Sequence, residues 1–139
     1  MMSYSNKLPH TLKSLSCWLV FIAYSGWIGF ISLSHAAQPG DLTDLNQYGI
    51  MALDKFLHFG AYGLFVYLGY YTVSATHFRL CCIMIAGYGF GLEMMQGNVP
   101  GREAALDDGI ANLMGVIVGY YAMKWLTGLK HQRSHRREN

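Results

Sequence analysis

Apolar positions in this chain come in long runs, with none of the strict alternation of half-buried strands. Four runs approach the roughly 20 apolar residues that span a bilayer. They are "LSCWLVFIAYSGWIGFISL" from Leu15, "FLHFGAYGLFVYLGYYTV" from Phe56, "LCCIMIAGYGFGLEMM" from Leu80 and "IANLMGVIVGYYAMKWL" from Ile110. The pattern predicts an all-α fold, an integral membrane four-helix bundle, with spans at about 15–34, 56–74, 79–96 and 109–127. A soluble helical core is the alternative, but so short a chain has too little polar surface to enclose four such helices.

Composition strengthens this picture. The 139 residues are 53% hydrophobic and only 13% charged, against about 25% charged in ordinary soluble domains. Sixteen glycines suit helices whose backbones approach closely in lipid. The length allows one domain, here residues 15–129, preceded by a segment 1–14 and followed by the basic tail 130–139. The three cysteines, Cys17, Cys81 and Cys82, are too few for a disulfide framework and read as small apolar residues.

The cations orient the bundle. Lys7 and Lys13 precede the first run, Arg79 separates the second and third, and "KHQRSHRR" from Lys130 follows the fourth. The other two connections carry only Lys55 and Arg102. The positive-inside rule therefore places both termini in the cytoplasm and the two longer loops outside. "SHAAQ" at Ser34 resembles a cleavage site, but the preceding run is long for a signal peptide and carries several polar residues, which favours a retained anchor.

Within that topology the polar residues of three spans converge on the outer end. Asp54, His58 and Tyr62 are spaced by four and share a helix face. Glu93 and Gln96 lie one turn before an outer loop, and Asp108, Asn112, Gly115 and Gly119 line the start of the last span. Ionisable groups at such depth cost about 2.5–3.5 kcal/mol each and normally face a bundle interior or a wet cavity. The turn at Pro100-Gly101 would bring Arg102 back over them, and Asp107 or Asp108 would cap the next helix. For Gly115 and Gly119, and for Gly87 and Gly91, helix packing is the expected role.

"DKFLHFGAY", then "EMMQGNVPGR", then Asp108, Asn112 and Gly115 in order resemble the VanZ-like family of bacterial membrane proteins. The pieces that match are Asp54, Lys55, His58, Tyr62, Glu93, Gln96, Pro100, Gly101, Arg102, Asp108, Asn112 and Gly115. Ala104 and Ala105 depart from the aromatic and small polar residues frequent in the family after its Arg, and the first span carries little of the likeness. The resemblance implies a multi-pass protein of the bacterial inner (plasma) membrane, linked to the cell envelope. Its named member is associated with resistance to the glycopeptide antibiotic teicoplanin.

Two functional classes follow. In the first, Asp54, Lys55, His58, Tyr62, Glu93, Gln96, Arg102, Asp108 and Asn112 form an outward-facing pocket for an anionic envelope lipid or glycolipid head group, with Arg102 offering paired donors to phosphate. In the second, Asp54 orients His58 as a general base and Glu93 supplies a proton. The outer halves of the last three spans hold no Ser or Cys nucleophile, so the balance leans away from an enzyme. The bland reading is interhelical glue, but polar contacts between membrane helices average only about 0.6 kcal/mol, poor compensation for so many ionisable groups. One His among scattered carboxylates is a weak metal signal, so neither metal nor cofactor is expected. "GYGFG" lies inside an apolar run and lacks the strand that a dinucleotide site needs. Membrane lipids are the expected partners, and nucleic acid is not.

Overall fold

A computed structural model of the chain describes residues 10–34, 53–99 and 106–138. These form four α-helices: α1 (His10–Leu33), α2 (Leu53–Thr72), α3 (Phe78–Gln96) and α4 (Leu106–Glu138). The all-α expectation holds. The ends differ from the expected spans in ways that matter for the site. α2 starts early enough to carry Asp54 in its first turn, where a carboxylate complements the positive end of the helix dipole. α4 starts at Leu106, so Asp107 and Asp108 lie within its first turn, inside the helix and not at its cap. At its other end α4 runs on through the basic tail, giving 33 residues, or about 50 Å of helix.

α2 and α3 are joined by a tight turn. His77 N–H donates to the Ser74 carbonyl at 3.0 Å, and Ser74 Oγ lies 2.7 Å from His77 Nδ1. So short a link leaves the two helices as an antiparallel pair. α2 is the centre of the bundle and shares its longest face with α4, while α1 rests on α2 and α3.

Small residues set the α2–α4 distance. A Cβ on Gly115 would collide with the Phe59 carbonyl oxygen and come within 3.1 Å of the Gly63 nitrogen. One turn on, a Cβ at Gly119 would meet Val66 Cβ at 3.1 Å. Gly115 and Gly119 thus pack backbone against backbone, as small residues four apart do in membrane helix pairs. The same role does not extend to Gly87 and Gly91, where an added Cβ would meet open space. α3 turns a different stripe inward, Cys82, Ile85, Gly89, Leu92, Glu93 and Gln96, and Gly89 accepts the Tyr62 ring, which a Cβ would approach to 2.6 Å.

The core is aromatic at its middle. Phe65 of α2 stands 5.0 Å from Phe21, 5.5 Å from Tyr24 and 6.1 Å from Tyr88, centroid to centroid. Tyrosine hydroxyls placed there find backbone acceptors: Tyr24 donates to the Ala61 carbonyl at 3.0 Å and Tyr88 to the Ser25 carbonyl at 2.8 Å. Cys82 is buried, and Cys17 and Cys81 are half-buried free thiols.

The outside is apolar as well. Phe30, Phe56, Met84, Phe90, Met94 and Trp125 are among many large apolar side chains left exposed, far more than are buried. Among the described residues two stretches, Leu15–Leu33 and Phe78–Gln96, are by length and composition apolar enough to cross a membrane. Tyrosine, glycine and the polar residues of their first turns dilute the apolar character of α2 and α4.

The two kinds of glycine should separate on substitution. Gly115→Ala forces apart two backbones and is expected to lower stability in mild detergent by about 1–3 kcal/mol. Gly87→Ala adds a methyl into space and trades a flexible residue for a better helix former, a change of up to about 1 kcal/mol in the stabilising direction. Thermal unfolding of the two variants beside the parent protein measures both.

Candidate functional site

The N-terminal ends of α2 and α4 and the C-terminal end of α3 meet at one end of the bundle, and Asp54, Lys55, Glu93, Asp107 and Asp108 gather there. Lys55 is the hub. Its ammonium contacts Asp54 at 2.6 Å, Asp107 at 2.9 Å and Asp108 more closely still. Burial of the ammonium acts to lower its pKa, but the hydrogen bonds it donates to Asp108, Asp54 and Asp107 together outweigh that and hold Lys55 above the ordinary lysine value. The hydrogen bond to Lys55 holds the Asp54 carboxyl below the ordinary carboxylate range, and it does the same for Asp107.

Below this clamp a polar chain descends into the bundle. His58, one turn beyond Asp54, has Nε2 3.7 Å from Asp108 Oδ2, within ion-pair range but beyond hydrogen-bond length. Its Nδ1 lies 3.0 Å from Asn112 Oδ1. Asn112 in turn donates from Nδ2 to Glu93 Oε1 at 3.2 Å. The His58 side chain is 26% exposed, whereas Asn112 and Glu93 beneath it are buried. α2, α4 and α3 each contribute one link. The close approach allowed by Gly115, three residues beyond Asn112, brings the first two within reach.

Several sequence-predicted residues take other partners than expected. Asp54 belongs to Lys55, and Asp108 and Asn112 are the groups that flank His58. Lys55 is engaged by carboxylates. Tyr62 lies deeper, buried in the core against Gly89. Gln96 is buried and donates to the Ser32 carbonyl at 3.0 Å, tying α3 to α1 at this same end. Arg102, with Pro100 and Gly101, lies outside the described residues. Asp107 joins the cluster as a third carboxylate. Two adjacent acids at a helix start signal an N-terminus, and nothing in their spacing shows which of them turns to a lysine on another helix.

A family model described as VanZ/LLP1 matches residues 12–127. It covers most of the chain and all of the cluster. No curated protein and no solved structure gives a significant match.

The clamp should dominate the pH dependence of stability at its extremes. Asp54 and Asp107 have lowered folded-state values, so their contribution is full above the unfolded carboxylate pKa of about 3.9 and is lost as pH falls through the lower folded values. Lys55 is raised, so its share is full below about 10.4 and disappears as pH rises past its folded value. At neutral pH, Lys55→Met leaves three carboxylates facing one another and is expected to depress Tm. Adding Asp108→Asn should restore part of the loss. Asn112→Ala, which strips one partner from each of two groups, is expected to cost about 1–3 kcal/mol. Thermal melts over a pH series check all three.

Proposed function

The chain belongs to the VanZ-like family, and from that premise we propose that it is a multi-pass protein of the bacterial inner membrane whose polar cluster holds the head group of an envelope glycolipid. Four helices cross the bilayer, both termini are cytoplasmic, and the Lys55 end of the bundle faces outward. The apolar exterior supports insertion, since so much exposed hydrocarbon would drive association in water. The cation distribution supports the orientation.

The observation that carries the reading is the polar chain from the partly exposed Lys55 clamp down to buried Glu93. It reaches the surface where a head group would sit. Of the two head-group classes, the clamp favours a sugar. Three carboxylates around one lysine leave oxygen acceptors in excess, and these suit hydroxyl donors. Lys55 is already engaged, which leaves Arg102 as the residue for any phosphate. An open groove of about 600 Å³ along α1, lined by Gly26, Gly29, Phe30, Leu33 and Ser34, offers an acyl chain a bed toward the same end.

Binding is favoured over acid–base catalysis because both ring nitrogens of His58 face protein groups, Nδ1 an amide oxygen and Nε2 the Asp108 carboxylate. A role in teicoplanin resistance fits a protein that holds envelope glycolipids.

The test is lipid selection. Protein reconstituted in nanodiscs containing equal parts of a glucosyl diacylglycerol and phosphatidylglycerol should retain the glycolipid preferentially, as read by native mass spectrometry. Asp108→Asn should abolish the preference and remove any shift in teicoplanin susceptibility that the parent protein confers on a host. Equal retention by parent and variant would refute the reading.

A further inference from the structure

Polar features at both ends of α2, α3 and α4 limit how much hydrocarbon the bundle can face. At one end stands the Lys55 clamp, and its charges are not sealed in. Asp107 is 65% exposed, and Lys55 and Asp54 are partly exposed. At the other end a connected band of rings crosses the three helices. Tyr71 meets Tyr70, Tyr70 meets Phe78, Phe78 stacks on Tyr120 and Tyr120 meets Tyr121, with centroids 5.1 to 5.5 Å apart. The Lys124 ammonium lies 5.4 Å from the centre of the Tyr120 ring, so its side chain leans back toward the band. Tyr and Trp rings concentrate at membrane–water interfaces, and Tyr71, Tyr121 and Trp125 are exposed at this level.

The distance between the two edges is short. At about 1.5 Å of rise per residue, Lys55 to Tyr71 on α2 spans about 24 Å and Asp107 to Tyr121 on α4 about 21 Å. On α3 the exposed apolar side chains run from Leu80 to Met95, about 22 Å of helix. The hydrocarbon core of an ordinary bilayer is about 30 Å thick. α1 comes nearer to it, since Leu15–Leu33 covers about 27 Å. Tilting relieves a helix that is too long, and does nothing for one that is too short. Lysines near a boundary usually reach water by snorkelling. Lys55 lacks that freedom, because its ammonium is committed to Asp54, Asp107 and Asp108. The clamp therefore stays at the depth of its helices, and an undeformed bilayer would lay hydrocarbon over exposed charge.

We propose that the α2–α3–α4 core thins the bilayer around it, to a hydrocarbon layer of about 21–24 Å. The partner that this surface fits is acyl chains shortened or compressed to that depth. Thinning is greatest on the α4 side, because α1 packs over α2 and α3 with its longer apolar run. The effect on the polar cluster is direct. Head groups of the adjoining leaflet descend to the level of Lys55 and His58, so a lipid presents its head group from the side without leaving the bilayer. The thinning rests on the membrane insertion proposed above, and not on which head group is bound.

Bilayer thickness is the first measurement. X-ray lamellar diffraction from oriented stacks of eighteen-carbon monounsaturated phosphatidylcholine should give a phosphate-to-phosphate distance that falls as the protein is added. A constant distance, with upright helices by oriented circular dichroism, would overturn the thinning and leave insertion standing. Helices lying in the bilayer plane would overturn insertion itself, and the thinning with it.

Stability against chain length is the second. Among bilayers with chains of fourteen, eighteen and twenty-two carbons, Tm should be highest at fourteen and fall at each step. The double change Tyr121→Leu and Lys124→Leu, at two exposed positions, lengthens the apolar strip of α4. It should narrow the Tm gap between the fourteen- and eighteen-carbon bilayers. A parent optimum at eighteen or twenty-two carbons, or an unchanged gap in the variant, would overturn the proposal. The diffraction result decides it by itself if the variant fails to fold.

Discussion

The close contact of α2 with α4 is the constraint on which the rest depends. Gly115 brings its helix onto the Phe59 carbonyl of α2, a separation that any side chain at that position would prevent. The polar links from α4 to His58 and Lys55 lie toward the N-terminal ends of the two helices from that contact: Asn112 to His58, Asp108 to His58 and Lys55, and Asp107 to Lys55. Moving the helices apart by the thickness of a methyl group would stretch hydrogen bonds of about 3 Å past useful length. The packing seam and the polar chain are therefore one feature, with glycine supplying the distance and the polar residues using it.

The bundle is also graded from end to end. Its middle is held by aromatic rings around Phe65, and its Lys55 end by charges that satisfy one another. Such an end is costly to build in an apolar setting, because each charge must find its partner before it is withdrawn from water. The Lys55 clamp meets that demand at the partly exposed rim, where the carboxylates keep some contact with solvent. The deeper Asn112–Glu93 link meets it with an amide. The order of groups, fully charged at the rim and amide-bridged below, follows the fall in available water.

How much of this was legible in the chain depends on the range of the interaction. Long apolar runs define four helices, because helix formation is local and periodic. Their ends were less legible. Lys55 and Asp107 lie inside helices, since a charged residue in the first turn is compatible with either side of the boundary. Residues four apart on one helix, such as Asp54 and His58, were rightly placed on one face, yet their partners were not assigned, because Asp54 turns to its neighbour Lys55 and His58 to α4. Gly87 and Gly91 looked like packing residues and are not. Gly89 between them faces the core, a choice made by the rotation of α3 about its axis.

The sequence by itself determined the number and nature of the helices, the family, and the concentration of polar residues toward one end. These follow from composition, period and order, which neighbouring residues share. Only the tertiary structure decided that Lys55 answers three aspartates, that His58 stands between Asp108 and Asn112, and that Asn112 reaches Glu93. Apart from Lys55 with its neighbour Asp54, those pairings join residues between 19 and 54 positions apart, and they are fixed by helix rotation and separation to within an ångström. Those quantities are set by the packing of whole faces, so no local stretch of the chain contains them.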